Sequence, residues 1–192
     1  MILSDKLSHI TLKEYHRLSD TEKDYAINQL VHPVYHQSFP EHERRPWTDF
    51  TVLLDTEPDF TLFIVYATET EAPVGFVTRW NIDNWVYIEH FAIDHSHRNK
   101  GFGAMVINAV KSLAPSSPLV LEAEPHDGLM ASRRIRFYER LGFQQMPFDY
   151  FQPPYRPTAK SVPLVLMATV PADRAEISRI ADLIHHKVYR FH

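Results

Sequence analysis

The sequence contains no cysteine, which excludes a disulfide framework and any thiol chemistry supplied by the protein itself. It also lacks a long apolar run: the first residues are not a signal-like segment, and no later stretch reaches the roughly 18 residues of a membrane span. We therefore expect no association with membranes and a cytoplasmic location.

An excess of positive charge is also missing, since 20 lysines and arginines face 24 aspartates and glutamates. Nucleic-acid binding needs a basic surface that neutralises phosphates, so we expect no nucleic-acid partner. Glycine is scarce as well, with 5 residues beside 14 prolines, which favours ordered loops over disordered linkers. The remaining content, 192 residues with 44% apolar side chains, predicts one domain over residues 1–192.

The most informative stretch is a predicted strand, a tight polar turn and a helix. Residues 85–93 (WVYIEHFAI) are rich in aromatic and β-branched side chains, as strands are. Beyond the turn, apolar residues recur at the spacing of one helix face. That face comprises Phe102, Met105, Val106, Ala109, Val110 and Leu113.

The turn between them has the chemistry of an anion site. Arg98 and Lys100 bring two positive charges, and Gly101 and Gly103 let the backbone turn sharply and approach a ligand closely. The first N–H groups of the following helix have no intrahelical partner and lie at the positive end of its dipole. We expect a phosphate or pyrophosphate there.

The flanking sequence predicts a meander of antiparallel strands before the turn and a strand parallel to residues 85–93 after its helix. A helix with Gly142 just past its end and a final antiparallel hairpin follow. The predicted strands are residues 9–13, 60–67, 74–80, 85–93, 119–124, 144–152 and 163–170, and the helix spans residues 129–141.

Further helices are predicted near both ends of the chain. Ser19 and Glu22 form a capping-box pattern that begins a helix, whose apolar face Pro33 is expected to interrupt. Pro171 is expected at the first position of a C-terminal helix over residues 171–190. The buried stripe of that helix is Ile177, Ile180, Ala181, Ile184 and Val188.

Two motifs carry a resemblance to a known family. The first is Arg-x-x-Gly-x-Gly at residues 98–103, directly after a strand; the second is RFYERLGF at residues 136–143. Together, and in this order, they resemble the GNAT superfamily of acyl-CoA N-acyltransferases over about residues 60–170. The resemblance implies an α/β (α+β mixed) fold: a central twisted, mostly antiparallel sheet with helices on both faces, here followed by an extra C-terminal helix.

The resemblance also implies a cofactor and a reaction. The cofactor is acetyl-CoA (coenzyme A), and the reaction is acetyl transfer to a primary amine, expected to be a small molecule, by direct attack in a ternary complex. The backbone of Phe91, Ala92 and Ile93 is expected to pair with the pantetheine arm in a gap between two splayed strands. The pyrophosphate is expected on Arg98, Asn99, Lys100, Gly101, Phe102, Gly103 and Ala104.

Three residues are candidates for proton transfer. Tyr138 stands where the superfamily places its general acid, although a tyrosine on a helix face is also common in a core. Glu89 and Glu122 are candidate general bases; either could instead be structural, and a water relay without a single base is a further possibility.

Several departures keep other interpretations open. Ala131 stands where relatives usually have an asparagine and Arg134 where an alanine is common, so a catalytically degenerate acyl-CoA-binding regulatory or sensor domain is the alternative. A structural role centred on the C-terminal helix is a third reading. Arg133, Arg134 and Arg136 are either phosphate contacts or a solvated basic face.

The acceptor site is expected to be lined by residues 41–47 and 148–155. Glu41 or Glu43 could attract an amine, or the first segment could be only a rigid connection between prolines. No metal site is predicted, because the histidine pairs come without cysteine and without a His-Glu-x-x-His pattern. The sequence leaves the oligomeric state open; a homodimer is one candidate, since many members of the superfamily dimerise.

Overall fold

A computed structural model of the protein describes residues 9–125, 128–156 and 159–190. Its centre is a sheet in the spatial order β1-β2-β3-β4-β5-β8, with two short strands that both pair with β8. The strands are β1 (Ile10–Glu14), β2 (Phe60–Ala67), β3 (Pro73–Ile82), β4 (Trp85–Ile93), β5 (Leu119–Ala123), β6 (Gln144–Gln145), β7 (Tyr150–Gln152) and β8 (Val162–Ala168).

The strand pairings follow the predicted meander. Strands β1 to β4 are antiparallel neighbours, β4 and β5 are parallel, and β5, β6 and β7 all pair antiparallel with β8. The predicted strand over residues 144–152 is wrong in one respect, because it is divided into β6 and β7. Between them Pro147 has no backbone N–H to donate, which a continuous ladder needs.

Helices cover both faces of the sheet, as predicted. One face packs against α4 (Phe102–Leu113) and α5 (Leu129–Arg140) through residues such as Val106, Val110 and Ile135. The other face packs against α2 (His32–Ser38), α3 (Trp47–Thr56) and α6 (Arg174–Lys187), whereas α1 (Asp20–Tyr25) buries no residue. Each face therefore has its own apolar core.

The first helical region confirms one prediction and corrects another. The Ser19 side chain accepts from the Glu22 N–H and the Glu22 carboxylate accepts from the Ser19 N–H, which is the predicted capping box. Pro33, however, does not interrupt the helical path. A π-helical segment (Ala26–Val31) leads directly into α2, where Pro33 lies in the first turn and its missing N–H is tolerated.

Helix α3 was not predicted. It begins after Pro46 and buries Phe50, Leu53 and Leu54, a helical i, i+3, i+4 spacing.

Helix α6 has the predicted stripe but not the predicted start. Ile177, Ile180, Ala181 and Ile184 are buried against the sheet. The helix begins at Arg174, because the Asp173 side chain accepts from the Glu176 N–H and caps it, so Pro171 is not its first residue.

Candidate active site

The turn before α4 has the backbone that its glycines predict. Gly101 lies in the left-handed region at φ +81°, and Asn99 does so at φ +64°. A Cβ on Gly101 would meet only the end of the Met105 side chain, at 3.8 Å, so the space beside this residue is open. Within the described ranges, no acceptor is found for the N–H groups of Gly101, Phe102 and Gly103. These groups fit an anion.

Gly103 has a different role from Gly101. A Cβ at this position would lie 3.3 Å from the Phe137 ring and 3.5 Å from the Phe91 ring. The absence of a side chain therefore lets the first turn of α4 pack against both β4 and α5. The two sequence motifs meet at this contact.

Strands β4 and β5 separate beside this turn. Their parallel pairing joins Val86 to Leu119, Tyr87 to Val120 and Ile88 to Leu121, and it ends there. A cleft of about 390 Å³ opens where the pairing stops. Beyond Ile88, the β5 side of β4 has no paired strand among the described residues, so its backbone can take the extended ligand segment that the resemblance implies.

The cleft brings together about half of the predicted site residues. Its walls include Glu89, Phe91, Ala92, Ile93, Arg98, Glu122 and Tyr138. The others form the turn and the first turn of α4, outside the cleft walls: Asn99, Lys100, Gly101, Phe102, Gly103 and Ala104. The turn follows Arg98, which belongs to the wall, so the two groups are continuous along the chain.

Glu89 is held in a dense set of hydrogen bonds. Its side chain is 1% exposed, and it accepts from the guanidinium of Arg45, from Trp80 Nε1 at 2.7 Å and from the Tyr155 hydroxyl at 2.8 Å. Burial alone would raise its pKa, but the charge of Arg45, the neighbouring His90 with Nδ1 3.7 Å from Oε1, and the hydrogen bond from Trp80 outweigh burial and hold the pKa well below the usual range. A carboxylate in this state is a weak proton acceptor.

Glu122 is in the opposite electrostatic state. Tyr150 donates to Oε1, and Tyr189 donates to Oε2 at 2.6 Å, but no cation pairs with this carboxylate in the described parts of the chain. Burial raises the pKa of Glu122 to about 7, against the effect of the tyrosine hydroxyls and with a further upward contribution from Glu89. A carboxylate with this pKa exchanges protons at neutral pH.

Tyr138 lines the cleft from α5. Its ring is half-buried and packs edge-on against Phe143 with the ring centroids 5.7 Å apart. None of the residues that the structure describes forms a hydrogen bond with its hydroxyl. Burial raises its pKa, against the influence of Arg134, so the phenol keeps its proton at neutral pH.

Arginines lie at two sides of the cleft. Arg98 donates from Nε to the Ile93 carbonyl at 3.0 Å and from Nη2 to the Ser38 hydroxyl at 3.1 Å, which ties the turn to β4 and α2. On α5, Arg134 forms an ion pair with Glu124 at 2.8 Å and lines the cleft, whereas Arg133 and Arg136 are exposed and belong to its outer surface.

The segment before α3 contributes to the cleft in part. Glu43 lines it, and burial, with a smaller effect of Glu124, raises the Glu43 pKa. Glu41 is exposed and lies 3.9 Å from Arg156, outside the cleft walls. Of the segment over residues 148–155, Gln152 and Tyr155 line the cleft.

Several contacts of the site were not predicted. Arg45, Tyr150 and Tyr155 lie in the two segments predicted to line the acceptor site, but their bonds to Glu89 and Glu122 were not predicted. Tyr189, which donates to Glu122, lies in neither segment. Residues 45 and 89 are 44 positions apart, and residues 122 and 189 are 67 apart. The only sequence signal was the concentration of tyrosine after residue 149, and it specifies no partner.

The described residues contain neither a metal-binding cluster nor a membrane-spanning helix. Within residues 9–125, 128–156 and 159–190, no group of three or more His, Asp or Glu side chains could hold a metal ion. In the same ranges, no helix has the length and apolar character needed to cross a bilayer.

Comparison with known proteins gives a consistent result. The family model of the GNAT acetyltransferases matches residues 24–143. A solved structure from Bacteroides thetaiotaomicron, described as a GNAT-family acetyltransferase, is similar with 29% identity and a TM-score of 0.82, over 93% of this chain and 98% of that chain. No curated protein matches the sequence.

Two more distant structures share the fold. An acyl-CoA N-acyltransferase from Pseudomonas aeruginosa is 18% identical with a TM-score of 0.55, over 84% of this chain and 98% of that chain. A spermidine N-acetyltransferase from Vibrio cholerae, solved with CoA and spermine, is 15% identical with a TM-score of 0.59, over 84% of this chain and 95% of that chain.

Proposed function

Because the chain belongs to the GNAT acetyltransferase family, a family of N-acetyltransferases, we propose that it transfers the acetyl group of acetyl-CoA to the primary amine of a small molecule, by direct attack in a ternary complex. The observation that carries the proposal is the continuity of three features. A cleft contains the gap between parallel strands and a carboxylate that titrates near neutral pH, and a turn suited to an anion adjoins its wall through Arg98.

The residues of the chain fit the donor. The free N–H groups of Gly101, Phe102 and Gly103 and the positive charges of Arg98 and Lys100 suit a pyrophosphate. The unpaired edge of β4 at residues 91–93 suits the amide groups of a pantetheine arm. When bound, acetyl-CoA would supply an activated acetyl group on sulfur, and the backbone of β4 at residues 91–93 would hold the pantetheine arm.

Glu122 is the general base of the proposed mechanism. An amine attacks only as a neutral group, so its ammonium form must first lose a proton, which Glu122 accepts directly or through one water. Glu89 is the weaker candidate, because Arg45, Trp80 and Tyr155 donate to it and keep it ionised with low proton affinity. We assign Glu89 the role of fixing the cleft wall.

Tyr138 is the proposed general acid. Its side chain lines the cleft and its hydroxyl has no hydrogen bond to another described residue, so its proton is available for the departing sulfur. Deprotonation of the ammonium places one proton on Glu122, and the nitrogen loses a second proton when the amide forms, while the departing sulfur takes the proton of Tyr138. The second proton restores Tyr138 through solvent and Glu122 releases its proton to solvent, so one proton leaves the enzyme in each turnover.

The acceptor is proposed to be a cationic amine in its resting form. Glu43, Glu122 and Glu124 all line the cleft, and Arg134 is the cation paired with Glu124. Carboxylates in this position attract an ammonium group before it is deprotonated. The homodimer stays a prediction, which sedimentation velocity of the purified protein tests.

The first experiment is calorimetric titration of the protein with acetyl-CoA. Gly101→Glu places a carboxylate in the anion-binding turn and should abolish binding while the fold is retained. The matched control is Gly142→Glu, because Gly142 has the same φ of +81° but follows α5, away from the turn. Binding by the wild type and the control, but not by Gly101→Glu, is the expected result.

The outcomes separate this function from its alternatives. Binding together with turnover on a panel of small amines supports the proposal. Binding without turnover on any amine would instead favour a regulatory or sensor domain that has lost catalysis. Failure of the wild type to bind acetyl-CoA overturns both readings and leaves a structural role.

A further inference from the structure

We propose that Tyr189, placed by the C-terminal helix α6, is a positioning residue that holds the Glu122 carboxylate and keeps it available as the base. The proposal rests on the function proposed above and adds to it a residue outside the two sequence motifs. It makes α6 a part of the catalytic site.

The contact itself is direct. The Tyr189 hydroxyl donates to Glu122 Oε2 at 2.6 Å, while Tyr150 donates to Oε1. Burial keeps the pKa of both phenols well above the ordinary value of 10, so both keep their protons and act as donors. Each carboxylate oxygen retains a second lone pair, which leaves room for the amine or a bridging water.

A third tyrosine, Tyr87, contacts the hydroxyl of Tyr189. The hydroxyl of Tyr87, on the fully buried side of β4, lies 3.1 Å from the hydroxyl of Tyr189. An ionised carboxylate can only accept, so Tyr189 donates to Glu122 and accepts from Tyr87. A chain of two hydroxyls polarised toward one carboxylate stabilises its ionised form more than a single donor does.

The rest of α6 fixes the position of Tyr189. The stripe that includes Ile180 and Ile184 is buried against the sheet. The Val188 carbonyl accepts from Arg45 Nη2 at 3.1 Å, and the Tyr155 and Tyr189 rings pack with centroids 4.8 Å apart. The end of α6 is therefore tied to the groups around both Glu89 and Glu122.

The titratable and charged groups around Glu122 come from four parts of the fold. Among them Glu89 opposes a negative charge on Glu122, and Arg45 largely neutralises Glu89, so the tyrosine hydroxyls are the groups that favour ionisation. The titratable and charged groups around Glu122 are Tyr87 and Glu89 on β4, Tyr150 on β7 with Tyr155 after it, Arg45 before α3 and Tyr189 after α6.

The test removes one oxygen atom. Tyr189→Phe should raise the midpoint of the Glu122 titration by about one pKa unit, a roughly tenfold change in proton affinity, because a hydrogen bond to a charged group is lost. The midpoint is measured by 13C NMR of the glutamate carboxyls in the protein without substrates. The Glu122 signal is the one that Glu122→Gln removes.

The pH profile of acetyl transfer gives a second measurement. The acid limb of kcat/KM should move to higher pH in Tyr189→Phe by the same amount, with the KM for acetyl-CoA unchanged. Tyr35→Phe is the matched control, because its hydroxyl is buried and bonded to the backbone of Arg45 at 3.0 Å and does not contact Glu122. Tyr35→Phe should not change the midpoint of the Glu122 titration.

Each outcome decides the proposal. A Glu122 midpoint in Tyr189→Phe equal to that of the wild type overturns it and leaves Tyr189 a packing residue. Adding Tyr189→Phe to Glu122→Gln should not lower kcat further; a multiplied loss would equally overturn the proposal. If Tyr189→Phe does not fold, Tyr87→Phe removes the next donor and should shift the midpoint in the same direction by a smaller amount.

The experiment also separates this proposal from the proposed function. Acetyl-CoA binding without turnover of any amine would count against the function, but the NMR titration needs no substrate. A raised Glu122 midpoint in Tyr189→Phe would then still establish the hydrogen bond as the control on proton affinity.

Discussion

At the scale of single residues, the two carboxylates of the cleft differ through their partners. Glu89 faces a buried guanidinium, whereas Glu122 faces only hydroxyls. Both lie on adjacent strands of the same sheet and both side chains are withdrawn from water. The type of neighbour, and not the depth of burial, decides which of them can accept a proton.

Glu122→Gln should lower kcat by about 10²–10⁴-fold, the usual contribution of a general base, with little change in acetyl-CoA affinity. The acid limb of the pH–rate profile should disappear, because its midpoint near pH 7 belongs to this carboxyl. Steady-state kinetics between pH 5.5 and 9 measure both effects. Glu124→Gln, two residues further on, is the control and should keep the limb; a limb that persists in Glu122→Gln would assign the base elsewhere.

Arg45→Met should destabilise the fold by about 3–5 kcal/mol, because it leaves the Glu89 charge buried without its partner. Chemical unfolding monitored by tryptophan fluorescence measures the loss. Arg17→Met is the control, since the Arg17 side chain is 82% exposed. Adding Glu89→Leu to Arg45→Met should recover much of the stability, and a double variant as unstable as the single one would contradict this account.

At the scale of elements, the sequence predicts what is local. The strands over residues 60–67 and 85–93 and the helix at residues 102–113 are found with the predicted bounds, because side-chain periodicity and the glycine turn determine them. The Gly142 turn after α5 is likewise confirmed, at φ +81°. The early capping box is a further local signal that is confirmed.

What the sequence does not predict depends on contacts between distant residues. The pairing of Arg45 with Glu89, and of Tyr189 with Glu122, needs the sheet and α6 to be in place, and no local pattern encodes it. The predicted start of α6 was wrong because Pro171 and Asp173 both suit a helix N-terminus. The hydrogen bond from the Glu176 N–H to the Asp173 side chain decides between them.

This correction yields a prediction. Asp173→Ala should destabilise the protein by about 1 kcal/mol, the usual value of an N-cap, whereas Pro171→Ala should change the unfolding free energy by less than about 0.5 kcal/mol. Urea unfolding of both variants beside the wild type provides the measurement. A larger loss of unfolding free energy in Pro171→Ala than in Asp173→Ala would instead support a helix that begins at Pro171.

Gly75 leads to a prediction about the contact between β3 and β4. A Cβ here would lie 2.4 Å from the Ala92 carbonyl oxygen, so Gly75→Ala must displace β4 at the residues expected to hold the donor. We expect about 1–3 kcal/mol of destabilisation, as for other overpacked sites, and weaker binding of acetyl-CoA. Thermal unfolding and calorimetric titration check the two effects, and unchanged affinity would show that this part of β4 does not contact the donor.

At the scale of the whole molecule, the carboxylates make stability depend on pH in opposite ways. The folded-state pKa of Glu122 is raised from 4.5 to about 7, so its contribution to stability is full below about pH 4.5 and is lost as the pH rises through 7. The pKa of Glu89 is lowered, so its contribution is present above its unfolded pKa of about 4.5 and is lost only in acid.

The wild type should therefore lose stability relative to Glu122→Gln as the pH is raised from about 5 to 8. Urea unfolding at both pH values measures the difference in unfolding free energy between the wild type and Glu122→Gln. Glu124→Gln again serves as the control and should follow the wild type. A constant difference between wild type and Glu122→Gln across this range would mean that Glu122 has an ordinary pKa.

The contacts that close the cleft are among the longest-range contacts of the chain. Arg45 and Val188 are separated by 143 positions, and Tyr87 and Tyr189 by 102. Forming such contacts requires large loops to be closed first, which is the slow part of folding. The anion-binding turn, by contrast, is built from neighbours in sequence. A refolding molecule should therefore gain affinity for the donor before it gains catalytic activity. In a refolding experiment, donor binding should appear earlier than acetyl transfer.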